Sequence, residues 1–392
     1  MAECGVADFS VPSDVPELVL RTVLIVGTGL IGTSIGMALR RHGIQTYLED
    51  EDPEVAQIAA GLGAGRAQSP DEPVDLAVIA VPPPLIGPVL FQKQRQGVAL
   101  SFTDTASVKT QPHQDIEKLG CDLSDFVGGH PMGGRERSGP RAARADLFDG
   151  RPWVFTPSLA TTTETLLRAR RLATLCGAFP VGMDVAEHDQ AVALVSHAPH
   201  LLASLMATQL VSADSSAVQV AGPGLRGVVR LAAGDAGLWL EILTANAGAI
   251  ADVLDALGDD LQTTVRALRE LAATQATTTD HLGGDRRTPS IAQCQSVLTD
   301  ILRQGNTGHA RLPGKHGAPP VRYATVPVVT ADQPGQLARL FRDVGEADIN
   351  IEDVSIEHVP GHPVGLVELM VQPGVADTLA TELRQRSWTV YR

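Results

Sequence analysis

His130 lies in the run Gly128-Gly129-His130-Pro131-Met132-Gly133-Gly134, where glycines keep bulk away from an imidazole and a proline fixes the exit of the chain. With an unperturbed pKa of about 6.5, imidazole is the side chain best suited to take a hydroxyl proton at neutral pH. The competing reading is a structural histidine. Ser107, in Thr103-Asp104-Thr105-Ala106-Ser107-Val108-Lys109, puts a hydroxyl at the start of a helix, where in isolation it reads as an N-cap. Arg226 and Arg230 stand four apart and suit a small anionic substrate, since a guanidinium fork binds carboxylate bidentately. Arg135, Arg137, Arg141 and Arg144 are equally explained by a solvated charged face.

These residues need a scaffold, and its clearest part begins at Val23. Four apolar residues, Val23-Leu24-Ile25-Val26, run into Gly27-Thr28-Gly29-Leu30-Ile31-Gly32, then a helical segment from Thr33 to Arg41, then a second strand closing on Glu49-Asp50-Glu51. In such a site Gly27 permits the tight turn, Gly29 lets backbone approach a pyrophosphate, and Gly32 lets the helix pack on the strand. The helix N-terminus then offers free N–H donors and positive dipole to the phosphates. Asp50, 18 residues past Gly32, is placed to accept the ribose hydroxyl protons. Three carboxylates there repel a 2′-phosphate, so the expected cofactor is NAD rather than NADP. A bare glycine fingerprint is weak evidence; the strand before, the helix after and the acid downstream supply the context.

At 392 residues the chain exceeds one ordinary core. Strand-like segments at about 22–26, 45–49, 75–81, 98–103, 125–128 and 152–156 alternate with helical or loop segments, the rhythm of a mostly parallel sheet. Ligands in such sheets bind beyond the carboxyl ends of the strands, so Gly27, Val81-Pro82, Asp104 to Ser107, and Gly128 to His130 converge on one edge. From about 188 to 303 the periodicity turns helical, over Ala191 to Leu210, Gly237 to Asp255 and Leu257 to Ala273. Long Ala- and Leu-rich faces there suit burial against a second subunit. Gln304 to Pro320 reads as a linker. The last 72 residues parse as strand, helix, strand, strand, helix, strand, at 323–330, 335–346, 349–357, 364–371, 375–385 and 387–391. The expected class is α/β, with a tail over 1–18, a Rossmann-type dinucleotide-binding domain over 19–187, an all-α domain over 188–303, a linker over 304–320 and a ferredoxin-like domain over 321–392.

The balance of 45 acidic to 31 basic residues, a net charge of −14, argues against nucleic-acid or anionic-membrane partners. Cys4, Cys121, Cys176 and Cys294 show neither metal nor redox spacing, so no metal and no disulfide is expected and the cytoplasm is the expected compartment. No apolar run approaches the roughly 20 residues of a membrane span, and the acidic, proline-bearing first 17 residues do not read as a secretory signal.

Taken together, Asp104 to Lys109, Phe126 to Met132 continuing through Glu136-Arg137-Ser138-Gly139, Val195-Ser196-His197-Ala198-Pro199-His200, and Gly222-Pro223-Gly224-Leu225-Arg226 to Arg230 with Asp235 and Trp239 resemble the prephenate dehydrogenases of tyrosine biosynthesis. The resemblance covers about residues 20 to 303, and four motifs in order are far more specific than the glycine fingerprint. It implies that His130 accepts the C4 hydroxyl proton while hydride leaves C4 for the nicotinamide, and that Ser107 holds the hydroxyl and the histidine in register. It implies further that Arg230 binds a substrate carboxylate, that His200 sits at the substrate's side-chain end, and that Glu136 lies near the pocket mouth. His197 is left open between site and core. Arg135 departs from the small hydroxyl residue that many members carry, which leaves the choice between prephenate and arogenate open; a cation pointing inward would favour prephenate. The helical domain is, on this resemblance, the dimerisation domain of a homodimer.

The C-terminal segment resembles an ACT domain, on Thr330-Ala331-Asp332-Gln333-Pro334-Gly335-Gln336-Leu337 and Asp348-Ile349-Asn350-Ile351. Pro334-Gly335 opens a helix whose free N–H groups can take an amino-acid carboxylate, or else forms a turn without a ligand. The resemblance implies a regulatory site at Asp332, Gly335 and Asn350, with tyrosine as the natural effector. The reading is therefore an NAD-dependent prephenate dehydrogenase with an ACT domain. Its rivals are an arogenate dehydrogenase and, from another class, a catalytically silent NAD and amino-acid sensor, against which His130, Ser107 and Arg230 argue. A hydroxyacid dehydrogenase would need a lysine in the helical domain, and no lysine occurs between Lys118 and Lys315.

Overall fold

The computed structural model describes residues 18–134, 137–277, 291–312, 322–358 and 363–391. They form two compact units that divide between Asp260 and Leu261. The first unit is built on seven strands: β1 (Thr22–Val26), β2 (Gln45–Glu49), β3 (Leu76–Ile79), β4 (Phe102–Asp104), β5 (Phe126–Pro131), β6 (Pro152–Thr156) and β7 (Phe179–Gly182), in the order β2-β1-β3-β4-β5-β6-β7. All neighbours pair parallel except β5 with β6. Five helices alternate with the strands: α1 (Leu30–Arg41), α2 (Pro53–Gly61), α3 (Ile86–Gln96), α4 (Thr110–Leu119) and α5 (Thr163–Leu175).

Because the strand order reverses between β1 and β3, their carboxyl ends open a crevice at a topological switch point. Both faces of the sheet are covered, which is why its central strands are continuous apolar runs rather than alternating ones. Val23 and Ile25 join Ile35, Leu39, Trp153 and Phe155 on one face, while Leu24 joins Ile79, Ile86, Leu90 and Phe102 on the other. The expected strands are all present. An additional one, β7, carries Pro180, which reads as a strand breaker; it is tolerated because β7 is the sheet edge.

Beyond the sheet lie α6 (Val185–Val192), a π turn (Ala193–His197), α7 (Ala198–Thr208), α8 (Ser215–Gln219), α9 (Pro223–Val229), α10 (Ala236–Ala245) and α11 (Ala247–Thr277), the divide falling within α11. The helical expectation holds with one correction: the break foreseen at residue 256 is at Asn246. Its side chain is drawn away to Asp189 and His197, whereas Leu257 and Gly258 continue the helix.

The second unit contains α12 (Ile291–His309), β8 (Ala324–Ala331), α13 (Gln336–Glu346), β9 (Asp353–His358), β10 (Val364–Val371), α14 (Ala376–Gln385) and β11 (Thr389–Val390). The four strands form an antiparallel sheet in the order β11-β8-β10-β9, over a core that includes Val328, Leu340, Val344, Val367, Leu379 and Leu383. The linker expected over 304–320 is corrected at its start, because α12 continues to His309. Cys294, Val297, Leu298 and Ile301 keep an apolar stripe at helical spacing, which outweighs roughly 1 kcal/mol for each of Gly305 and Gly308. Residues 313–320 of that linker, like residues 1–17 of the tail, lie outside the described ones.

Candidate active site

The glycine-rich turn follows β1. Gly27 has φ +95°, and a Cβ there would stand 2.3 Å from the Ala80 carbonyl oxygen at the end of β3, so only glycine closes this turn. A Cβ on Gly32 would lie 2.0 Å from the Gly27 oxygen, which brings α1 tight against the turn. Gly29 is the N-cap of α1 and contributes no capping side chain, and the space where its Cβ would sit is open. Leu30 begins that helix and Ile31 follows, so its first N–H donors and positive dipole lie beside the turn where backbone can be approached at Gly29, an arrangement that fits a pyrophosphate.

Asp50 has a further task. Its Oδ2 accepts from the Thr28 backbone N–H at 2.6 Å and the Thr28 hydroxyl at 2.8 Å, and its Oδ1 accepts from Asp52 N–H at 3.2 Å. The acid thus ties the second strand to the glycine-rich turn. Glu49 corrects the expectation of three free carboxylates here, because Lys93 neutralises it in an ion pair.

His130 stands at the carboxyl end of β5, half-buried. Gly129 before it is needed for close approach, since a Cβ there would lie 2.6 Å from the Asp104 carbonyl oxygen. The buried Lys109 donates from Nζ to Asp104 Oδ2 at 2.5 Å and to the Gly129 carbonyl at 2.6 Å, while Gly129 N–H donates to Asp104 Oδ1 at 2.8 Å. This cluster locks the end of β4 to the strand that carries the histidine. On its other side His130 Nδ1 is 2.8 Å from His188 Nε2, and His188 Nδ1 is 2.8 Å from Asp189 Oδ1. Both partners belong to α6, whose first turn is fixed by a capping box between Asp184 and Glu187.

Asp189 also caps α4 from a distance in sequence: Oδ1 accepts from Lys109 N–H and Oδ2 from Thr110 N–H, each at 2.8 Å. The N-cap position of α4 is Lys109, so the capping role considered for Ser107 is filled by Asp189 instead. The Ser107 hydroxyl, half-buried on the loop between β4 and α4, has no hydrogen-bond partner among the described residues.

Burial, reinforced by His188 and Lys109, holds the His130 imidazolium well below its ordinary pKa. Burial likewise lowers His188 and His200, and takes His197 down to about 4. Asp189 is pushed up by burial, but hydrogen bonds from His188, Thr110 and Lys109 prevail and hold it at about 2. Neutral imidazoles beside an ionised carboxylate are what a proton acceptor at neutral pH requires. A base must be unprotonated to act, so a lowered pKa extends activity to the acid side. The acid limb of the pH profile of kcat/KM is expected below pH 6.5; a limb at or above the ordinary imidazole value would exclude His130 as the titrating base.

The π turn at Ala193–His197 resets the register between α6 and α7 and presents His197 and His200 to one aromatic side chain. His200 stacks on Trp239 with ring centroids 3.5 Å apart, and His197 meets the same ring edge-on at 6.2 Å. His197 is only 2% exposed and its Nδ1 lies 3.2 Å from Asn246 Nδ2, inside the polar network rather than at an opening. A Cβ on Gly234 would touch both Trp239 and His200, so the turn Arg230–Ala233 packs onto that stack. Arg230 at its head is exposed and in no ion pair among the described residues.

Glu136 and Arg135 lie outside the described residues. In the second unit, Gly335 has φ +88° and is the uncapped N-cap of α13, as Pro334-Gly335 led us to expect, while Asn350 Nδ2 donates to Glu352 Oε1 at 2.9 Å. Asp332 N–H donates to the Pro363 carbonyl at 3.0 Å. Sequence reasoning missed His188, Asp189, Lys109 and Asn246 as parts of the site. One signal was available: an adjacent imidazole and carboxylate, His188-Asp189, open an otherwise apolar helical stretch.

Comparison with known proteins gives two matching family descriptions: prephenate dehydrogenase, nucleotide-binding domain, over residues 35–181, and prephenate dehydrogenase, dimerization domain, over 184–279. The probable prephenate dehydrogenase NovF of Streptomyces niveus is 40% identical over 371 residues, 94% of this chain and 99% of that protein, a likeness that reaches into both units. The prephenate dehydrogenase of Bacillus subtilis is 30% identical over 60% of this chain and 66% of its own length. Among solved structures, the prephenate dehydrogenase of Aquifex aeolicus in complex with hydroxyphenyl propionate and NAD+ shares the fold with a TM-score of 0.61 at 24% identity, over 75% of this chain and 99% of that one. Synechocystis arogenate dehydrogenase gives 0.57 at 25% identity, over 74% and 98%.

Proposed function

The chain belongs to the prephenate dehydrogenase family, and on that premise we propose that it converts prephenate to 4-hydroxyphenylpyruvate in tyrosine biosynthesis, using NAD. The observation that supports this reading best is a half-buried imidazole, held neutral by its surroundings, at the carboxyl end of β5, in the same sheet whose switch point carries the glycine-rich turn. NAD, when bound by Gly27, Gly29, Leu30, Ile31, Gly32 and Asp50, supplies the hydride acceptor. His130 takes the ring hydroxyl proton, and the unpartnered Ser107 hydroxyl holds that oxygen in line. Arg230 anchors a substrate carboxylate with charge-assisted hydrogen bonds, an anchor a dianion needs in a chain of net charge −14. His200, with Trp239, borders the side-chain end of the substrate; His197 supports the network behind it, and Glu136 acts near the mouth. Little more is required, because loss of the ring carboxylate aromatises the product and drives the reaction forward.

Arogenate is the second reading, favoured by the 25% identity to Synechocystis arogenate dehydrogenase. Rates on prephenate and arogenate measured side by side, with and without tyrosine, test the proposal: a kcat/KM for prephenate above that for arogenate supports it, the reverse order installs arogenate, and turnover of neither removes both.

Cofactor choice makes a separate prediction. With Glu49 neutralised, Asp50 and Glu51 remain to face a 2′-phosphate. A like-charge contact at about 5 Å costs roughly 3 kcal/mol at an effective dielectric near 20, so kcat/KM with NADP should fall about a hundredfold below that with NAD. Equal values for the two cofactors would refute the assignment.

The regulatory proposal is that 321–392 is a ferredoxin-like ACT domain that takes tyrosine near Asp332, Gly335 and Asn350 and lowers activity. The element order βαββαβ and the sheet order β11-β8-β10-β9 support it, as does the uncapped start of α13. The domain division is part of the same reading: 19–187, a helical region from 188 that runs on through α12 to His309, and 321–392. A homodimer through the helical domain is supported by exposed apolar side chains on its helices, among them Leu202, Leu205, Met206, Leu238 and Leu240; the cytoplasm as its compartment is part of the same proposal.

A further inference from the structure

We infer that His188 and Asp189 are positioning residues for the base: a carboxylate–imidazole–imidazole relay that leaves His130 Nε2 bare to take the substrate proton. The inference rests on His130 being that base and adds what selects its tautomer.

The argument is a count of protons. Asp189 is ionised and can only accept, and Oδ1 lies 2.8 Å from His188 Nδ1, so that nitrogen carries the hydrogen. A neutral imidazole has one N–H, hence His188 Nε2 offers a lone pair. The atom 2.8 Å from it, His130 Nδ1, must therefore donate. One N–H is then spent, and His130 Nε2 is left as an acceptor. The ring centroids stand 5.1 Å apart, the end-to-end placement that a ring N–H aimed at a ring lone pair requires, and the 71° between the planes is compatible with it.

The relay cannot readily swing out of this state. The Asp189 carboxylate accepts from His188, Lys109 N–H and Thr110 N–H, its own backbone carbonyl accepts from Asn246 Nδ2, and His188 is fully buried. Capping α4 would need Asp189 alone; nothing in that role calls for a buried imidazole between the carboxylate and His130. When the substrate O–H bond breaks, an Nε2–H bond forms and the electron pair stays on oxygen. The resulting imidazolium at His130 donates from Nδ1 to His188, a bond that becomes charge-assisted and points toward the ionised Asp189. The hydrogen bond that sets the tautomer thus also strengthens as charge develops.

The test uses the full-length protein. Imidazole ¹⁵N spectra of the unliganded enzyme at neutral pH should show His130 protonated at Nδ1 and bare at Nε2. His188→Phe keeps the ring but removes the acceptor; it should abolish that pattern and lower kcat by about 10- to 100-fold, with substrate and NAD KM within about threefold. His188→Gln restores an acceptor near the lost Nε2 and should recover most of kcat. A wild-type His130 bearing its proton on Nε2, or an unchanged kcat in His188→Phe, overturns the relay, and the wild-type spectrum decides even if His188→Phe does not fold. Failure of the proposed activity looks different: the tautomer is as stated, but neither prephenate nor arogenate is turned over.

Discussion

In His130→Asn, kcat falls by about 10²- to 10⁴-fold while KM for substrate and NAD stays nearly constant. Asparagine can still donate to His188 Nε2 and fits beside Gly129, so the relay and the strand end persist. What disappears is the lone pair that takes the hydroxyl proton, an interaction made only as that proton moves. A loss confined to the transition state lowers kcat and kcat/KM equally, whereas a loss of binding raises KM. Steady-state kinetics on purified, folded protein separates the two cases. Near-normal turnover would end the assignment of His130, and a rise in KM alone would make it a binding residue.

The glycine-rich turn could be read directly from the sequence because its function is local: the residues that close the turn, approach the phosphates and start the helix are neighbours in the chain. His130 was visible because a strand end in a parallel sheet is a place of known use, so type and position together made it a candidate. Ser107 shows where local reading stops. By sequence it is a plausible N-cap, but Asp189, 80 residues beyond Lys109, takes the N–H groups of that helix end and leaves the serine hydroxyl free. Likewise Asn246 ends α10 because of where its amide is needed, at partners 57 and 49 residues away in the chain. His188 was hidden for the same reason: the residue that makes a buried histidine a member of a site is its partner across the fold. The second unit was more legible. Strand alternation and helix periodicity gave six elements in order, with β11 shortened to Thr389–Val390 and the entry to β9 shifted to Asp353, where Asp348 at φ +56° turns the chain and Ile349 and Ile351 pack on the core before pairing begins.

The second large effect concerns stability. Lys109→Met should cost about 3 to 5 kcal/mol, because it leaves the buried Asp104 carboxylate without its counter-charge. Methionine keeps much of the volume of the stem, so the loss is electrostatic rather than a cavity. Backbone N–H groups of Ala106 and Gly129 still donate to Asp104, but they carry no net charge, and the Gly129 carbonyl loses its donor. The ladder between β4 and β5 pairs Phe102 with Phe126 and Thr103 with Val127 and then stops; beyond it the ion pair holds the two strand ends together. Urea titration read by far-UV circular dichroism measures the change. Adding Asp104→Asn to Lys109→Met removes the unpaired charge, so the double variant should be more stable than Lys109→Met alone. That ordering separates the two explanations: if the double variant is no better, the cost comes from packing of the lysine stem, and if Lys109→Met costs under about 1 kcal/mol the pair does not hold the strand ends at all.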